Sequence, residues 1–214
     1  MRRLEVGARV AEETSARFPM RIARQLTDLA VIFDDDVDGV IWERRTPPTI
    51  TSGLSRAPVR ACKDGRYVFP LDRVRHGVRD HFEMWGWPAG RAADWLADDV
   101  DALALHFARI LSVPSVQLRI ELVYDDACRK FHRDVVKTRL ICTYCGPGTE
   151  YQIMGDDDDP RHVRGAPTGC PILLKGKLWP QPPGETLVHR SPSIEGTGAW
   201  RLVVVLDDPS FGVF

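Results

Sequence analysis

No stretch of the 214 residues is apolar for long enough to cross a membrane: the longest purely aliphatic run, Leu202–Leu206, has about five residues where a spanning helix needs about 20. A dominant charge is missing too. Lys and Arg number 29 against 30 Asp and Glu, a formal net of -1, so no global field draws nucleic acid or an acidic membrane. The start, Met1-Arg2-Arg3-Leu4-Glu5, is charged with no apolar segment behind it, which does not read as a secretory signal. Cysteine is sparse and odd in number: five, without a secretory context, reads as reduced thiols rather than a disulfide framework. There is no internal repeat and no long linker. These absences describe a soluble, cytoplasmic protein with neither nucleic acid nor membrane as partner. They do not fix an oligomeric state, and a homodimer is compatible with them. What remains, 43% apolar residues, is enough for a real core.

The first third reads as helical. Ala8–Phe18 and Arg21–Phe33 carry apolar residues at helical spacing (Ile22, Leu26, Leu29, Ala30 and Phe33), with Pro19 between them. Asp34-Asp35-Asp36 ends the second piece, Val40–Arg44 reads as a short strand, and Thr46-Pro47-Pro48 breaks it. Residues 49–88 are hard to assign, apart from a short strand at Tyr67-Val68-Phe69 and a turn at Trp85-Gly86-Trp87-Pro88. The clearest helix covers Ala89–Leu111, with a broad stripe through Ala92, Trp95, Leu96, Val100, Leu103, Leu105, Phe107 and Leu111. Pro114 stops it, and the period changes. Val116, Leu118, Ile120 and Leu122 alternate with Gln117, Arg119 and Glu121, the pattern of a half-buried strand. Strand-like stretches follow at Val135–Tyr144, Pro171–Lys175, Glu185–His189 and Trp200–Asp207, separated by turns at Gly146-Pro147-Gly148, Gly155–Pro160, Pro180–Gly184 and Glu195–Gly198. Helices first and strands after predict an α+β chain. A mixed helical layer over residues 1–114 would pack on an antiparallel sandwich or barrel over 115–214, with at least six strands.

One short constellation carries chemistry. His132 and Asp134 stand two apart on an extended segment and so point to the same face. Read blandly, they are a surface histidine and a capping aspartate at a strand start. Phe131 and Val135-Val136 embed them in apolar sequence, however, and His189 lies far enough downstream for several strands to bring it back. Two imidazoles and one carboxylate on one side of a metal leave other positions open, the arrangement that suits ferrous iron and O₂. His189 read blandly is a satisfied core histidine, but Arg190-Ser191-Pro192 follows at once and argues for an opening there. Arg201, on the next strand, either faces outward or forms a two-pronged contact with a carboxylate. Cys142 and Cys145, with Cys170, form only one Cys-x-x-Cys pair, a weak zinc signal. Unbroken alternation from His132 would put Cys142 and Tyr144 on the barrel's inner face. Asp156–Asp159 reads as a solvated loop.

Several stretches resemble a known family: Cys128–Asp134, Arg139–Glu150, Lys175–Pro180 and Val188–Pro192 are similar to the domain-of-unknown-function family DUF1826, over most of the chain. That resemblance names a group and not an activity. A looser resemblance is to the iron(II)/2-oxoglutarate-dependent oxygenases, whose order His-x-Asp, distant His, then Arg is that of His132, Asp134, His189 and Arg201. It implies a double-stranded β-helix (cupin-like, jelly-roll) barrel. It also implies Fe(II) on His132, Asp134 and His189, and 2-oxoglutarate held by Arg201, with Tyr144 or Arg139 helping to position it or the substrate. The expected reaction is oxidation of a small molecule with O₂. Three alternatives stay open: a cupin dioxygenase that uses no 2-oxoglutarate, a zinc-binding or zinc-homeostasis protein that adds a cysteine to the same ligands, and an interaction module without metal.

Overall fold

The computed structural model describes residues 18–56, 65–126, 128–155, 161–180 and 186–210. All but the last residue of the expected helix Ala8–Phe18, the acidic loop 156–159 and most of the turn 180–184 lie outside them.

The described residues form ten strands and three α-helices in chain order: β1 (Met20–Ala23), β2 (Gly39–Trp42), α1 (Pro48–Leu54), β3 (Gly65–Pro70), α2 (Val74–Met84), α3 (Arg91–Leu111), β4 (Ser115–Val123), β5 (Thr138–Cys145), β6 (Glu150–Ile153), β7 (Arg164–Gly165), β8 (Ile172–Lys175), β9 (Leu187–Arg190) and β10 (Arg201–Asp207). A 3₁₀ helix covers Leu26–Phe33. Two sheets result: one of seven strands in the order β1-β2-β8-β5-β10-β4-β3, and one of three in the order β7-β6-β9. Every pair formed among β4–β10 is antiparallel. Among the described residues the two sheets share no ladder, so the expected barrel takes the form of a mixed α/β fold with two facing sheets. No described helix is long and apolar enough to cross a membrane.

Side-chain alternation explains how the layers meet. On β4, Val116, Leu118, Ile120 and Leu122 turn to one side and join Leu96, Val100, Leu103 and Phe107 of α3 in the larger core. The expected helix thus packs outside the sheet, from Arg91, after Gly90, to Leu111, where Ser112 takes a left-handed turn at φ 56° and Pro114 follows. The opposite face of the large sheet supplies Ile141, Val203 and Val205, which pack with Tyr151 and Leu187 of the small sheet in a second core. The site lies on this inner face.

The N-terminal half differs from its helical reading. Met20–Ala23 is a strand parallel to β2, because Met20 and Ala23 are buried and the segment finds its hydrogen bonds on that edge. With β3 on the other edge, three strands from before Pro114 extend the sheet. The Asp34–Asp36 run has a structural use: its charges surround buried Lys175, whose Nζ donates to Asp34 O at 3.0 Å.

Candidate metal centre and its cavity

His132 and His189 come from segments far apart in sequence and meet through the backbone. His132 N donates to His189 O and His189 N to His132 O, both at 3.0 Å, an isolated antiparallel bridge beside β9. A bridged pair of this kind puts both side chains on one face, and the ring centroids stand 4.7 Å apart. Asp134, two residues on, reaches the same spot: its carboxylate lies 3.1 Å from His189 Nε2 and 3.6 Å from His132 Nε2. One ligand atom from each of the three lies within 4.8 Å of the others. Two ligands about 2.1 Å from one ion at right angles would stand about 3 Å apart, which the two His–Asp distances approach.

Three details fit these residues to a cation. His132 Nδ1 is 2.8 Å from Lys130 O, so it donates there, and Nε2 is the nitrogen turned to Asp134. Asp134 Oδ2 is buried with no hydrogen-bond partner, despite its closeness to His189. Burial alone would raise the Asp134 pKa, but His132, His189 and the Arg139 charge outweigh it and hold the carboxyl well below the usual range. An ionised carboxylate with one orphaned oxygen, flanked by two imidazole nitrogens, is a donor set for a divalent metal.

The same histidines line a cavity of about 90 Å³ on the inner face of the large sheet, walled by Ile141, Val203 and Val205. Arg201 faces into it and is 2% exposed. Its Nε donates to Pro147 O at 2.8 Å, Nη1 to Ser191 Oγ at 3.0 Å and Nη2 to Thr143 Oγ1 at 3.1 Å. All three acceptors are neutral, and among the described residues no carboxylate is within ion-pair distance. Burial pushes its pKa from 12.5 down to about 10, and the more distant charges of Glu121 and Glu150 offset only part of that. The Gly146-Pro147-Gly148 turn is shaped to this contact: Gly146 has φ +79°, and a Cβ there would sit 2.1 Å from Trp200 O and 3.0 Å from Arg201 Cγ.

Arg139 lines the cavity as well, but its charge is already met by two carboxylates. Nε and Nη2 form a fork on Asp207, both at 2.8 Å, and Nη1 donates to Asp134 Oδ1. It touches the Asp134 carboxylate rather than standing free for a cofactor. Tyr144 is not in the cavity. It projects from the other face of β5 into the core beneath the helices, where its hydroxyl donates to Asp99 Oδ2 at 2.6 Å. Cys142 shares that face; Cys145 is in the same core, and burial pushes both thiols up to about 12. The physical reason is a bend over 135–137, which carries the chain from the small sheet to the large one and resets the alternation counted from His132. Cys170 is also elsewhere, bonded through Sγ to Arg44 O. The four described cysteines are free.

The family model described as "Protein of unknown function (DUF1826)" matches residues 23–207. The chain belongs to the DUF1826 family. No curated protein matches it in sequence. Solved structures similar to this DUF1826 protein include the dioxygenase for auxin oxidation 1 from Arabidopsis thaliana, in a binary complex with 2-oxoglutarate. The two share 10% identity over 89% of this chain and 92% of that one, with a TM-score of 0.47. AviO1 from Streptomyces viridochromogenes Tue57 shares 15% over 89% and 98%, with a TM-score of 0.44. An oxidoreductase of the 2OG-Fe(II) oxygenase family from Burkholderia pseudomallei shares 12% over 86% and 90%, with a TM-score of 0.41.

Sequence reading missed three participants in the DUF1826 site. Thr143 and Ser191 bind Arg201, and Asp207 binds Arg139. Ser191 had a signal, in the polar cluster directly after His189. Asp207 had a faint one: it closes an aliphatic strand with a charge, and in the ladder its partner is Arg139.

Proposed function

We propose that this DUF1826 protein is a non-haem iron(II)-dependent oxygenase, built on a double-stranded β-helix, that uses 2-oxoglutarate and O₂ to oxidise a small molecule. One observation carries the reading. His132 and His189 line one cavity with a buried guanidinium that has no carboxylate partner, and Asp134, with one orphaned carboxylate oxygen, completes a His–Asp–His set behind them. His132, Asp134 and His189 would hold the iron, which when bound supplies the redox chemistry that activates O₂. Arg201 would take a carboxylate of 2-oxoglutarate with the paired donors of its fork, and the hydroxyls of Ser191 and Thr143 hold that fork in place. His132 Nδ1–H, tied to Lys130 O, fixes the tautomer and the ring plane. The Ile141, Val203 and Val205 side chains exclude water from the cavity wall, which strengthens each charge interaction inside it.

Among the described residues no cysteine joins the triad as the zinc reading requires: Cys142, Cys145 and Cys170 lie away from it, and Cys128, though it lines the cavity, stands outside the His132–Asp134–His189 group. The decisive experiment is anaerobic reconstitution with Fe(II), then O₂ consumption with and without 2-oxoglutarate. The reading expects about one iron per chain, lost in His132→Ala, and O₂ uptake that depends on the oxo-acid. A wild-type protein that binds no iron ends it; one that binds iron and consumes O₂ regardless of 2-oxoglutarate moves it to the cupin dioxygenases that use substrate alone.

A further inference from the structure

We infer that Arg139 and Asp207 form a relay that orients the Asp134 carboxylate for metal binding while adding no net charge beside the ion. The inference rests on the metal reading above, and it assigns a positioning role to two residues that would touch neither iron nor oxo-acid.

The geometry builds the relay in three steps. Asp207, 4% exposed at the end of β10, grips Arg139 through two parallel bonds of 2.8 Å, to Nε and Nη2. A fork held at both prongs fixes the plane of the guanidinium. The remaining nitrogen, Nη1, then presents a donor from a fixed direction, and Asp134 Oδ1 accepts it. With Oδ1 engaged, Oδ2 is the oxygen turned to His189, and it is the one left without a hydrogen bond. The Asp134 backbone is held by Lys177 N, which donates to its carbonyl at 2.8 Å, so what the relay adds is the rotation of the carboxylate.

Charge explains why an aspartate backs the arginine. A lone guanidinium against a metal-binding carboxylate would repel a dication. Asp207 neutralises it, so Arg139 directs the carboxylate without competing with the metal. Arg139 lines the cavity but already faces two carboxylates, whereas Arg201 faces none within ion-pair distance.

Orientation and electrostatics predict opposite results for one variant, which makes the inference testable. The probe is Co(II), titrated anaerobically into the full chain and read by its d–d absorption, with circular dichroism and urea melts to select folded conditions. Asp207→Asn should weaken Co(II) under either account. Arg139→Met leaves Asp207 as an extra anion nearby; electrostatics alone would tighten Co(II), while loss of the relay should weaken it 10- to 100-fold, the range for residues that orient a metal ligand. The double variant Arg139→Met/Asp207→Asn is neutral in charge and should also bind 10-fold or more weakly, and Arg139→Lys should recover only part. A dissociation constant within twofold of wild type in the folded double variant, or tighter binding in Arg139→Met, overturns the relay and leaves the metal site standing. If wild type binds no Co(II) and His132→Ala behaves identically, both the relay and the metal reading fall.

Discussion

Arg201→Met separates binding from stability. In the ligand-free protein the guanidinium is 2% exposed and its pKa is pushed from 12.5 down to about 10, which corresponds to a charge-burial cost on the order of 3 kcal/mol. Its three hydrogen bonds, to Pro147, Ser191 and Thr143, return about 1 kcal/mol each. The two sums nearly cancel. Methionine fills similar space without the charge, so ligand-free stability should change by no more than about 1 kcal/mol, or about 2–4 °C in Tm for a chain of this size. Binding should respond very differently. A carboxylate seated on Arg201 would lose the guanidinium that grips it, at a cost of about 2–4 kcal/mol, so 2-oxoglutarate affinity should fall roughly 30- to 1000-fold. Iron stoichiometry should be unchanged, and Arg201→Lys should recover only part, because an ammonium offers a point charge and no fork. Calorimetric titration of 2-oxoglutarate into metal-loaded wild type and variant, beside thermal melts of the empty proteins, reads both effects. A drop in Tm beyond about 10 °C with unaltered 2-oxoglutarate affinity would refute the reasoning and make Arg201 a structural tie between strand and turn.

The far face of the sheet should behave as scaffold. Asp99→Ala leaves Arg44 buried without its carboxylate and should cost about 3–5 kcal/mol in urea unfolding, with iron and 2-oxoglutarate affinities unchanged below the transition; Tyr144→Phe should cost about 1 kcal/mol with the same silence at the site. Gly146→Ala should do both kinds of damage, since its Cβ would strike Trp200 O and crowd Arg201; a lower Tm together with weaker 2-oxoglutarate binding is the expected pair of readings. His81 gives the pH dependence. Burial lowers its pKa from 6.5 to about 4, so the folded state stays neutral where the unfolded chain takes up a proton. Stability from this group is complete above pH 7, falls by about 2 kcal/mol between pH 7 and 5, and levels off near 4; urea midpoints of His81→Leu should lose that slope.

How much of this was legible in the sequence depends on how local each cause is. The alternation of Val116, Leu118, Ile120 and Leu122 against Gln117, Arg119 and Glu121 reports a strand with two different faces, and so it is found. What it does not report is that the polar face is turned to an inner cavity and not to water; Arg119 and Glu121 line the cavity and pair with each other at 3.2 Å. His132 and Asp134 were legible because both sit on one short segment. Tyr144 was misplaced because counting alternation across a bend assumes the strand is unbroken. β1 was misread because four residues carry too little periodicity, and its conformation is decided by β2, which it meets only in the fold. Asp207 was overlooked for the same reason: what gives it a role is a cross-strand partner.

The bridge between His132 and His189 has a kinetic consequence. Two of the three prospective ligands are joined by main-chain hydrogen bonds, so their spacing is a property of the folded chain and does not wait for an ion. Loading would then be a docking event and not a folding event. An empty molecule should accept metal at a rate set by dehydration and entry, lose it without unravelling, and be reloaded repeatedly. Its His132 and His189 amide hydrogens should exchange slowly in the presence of a chelator as well as in its absence.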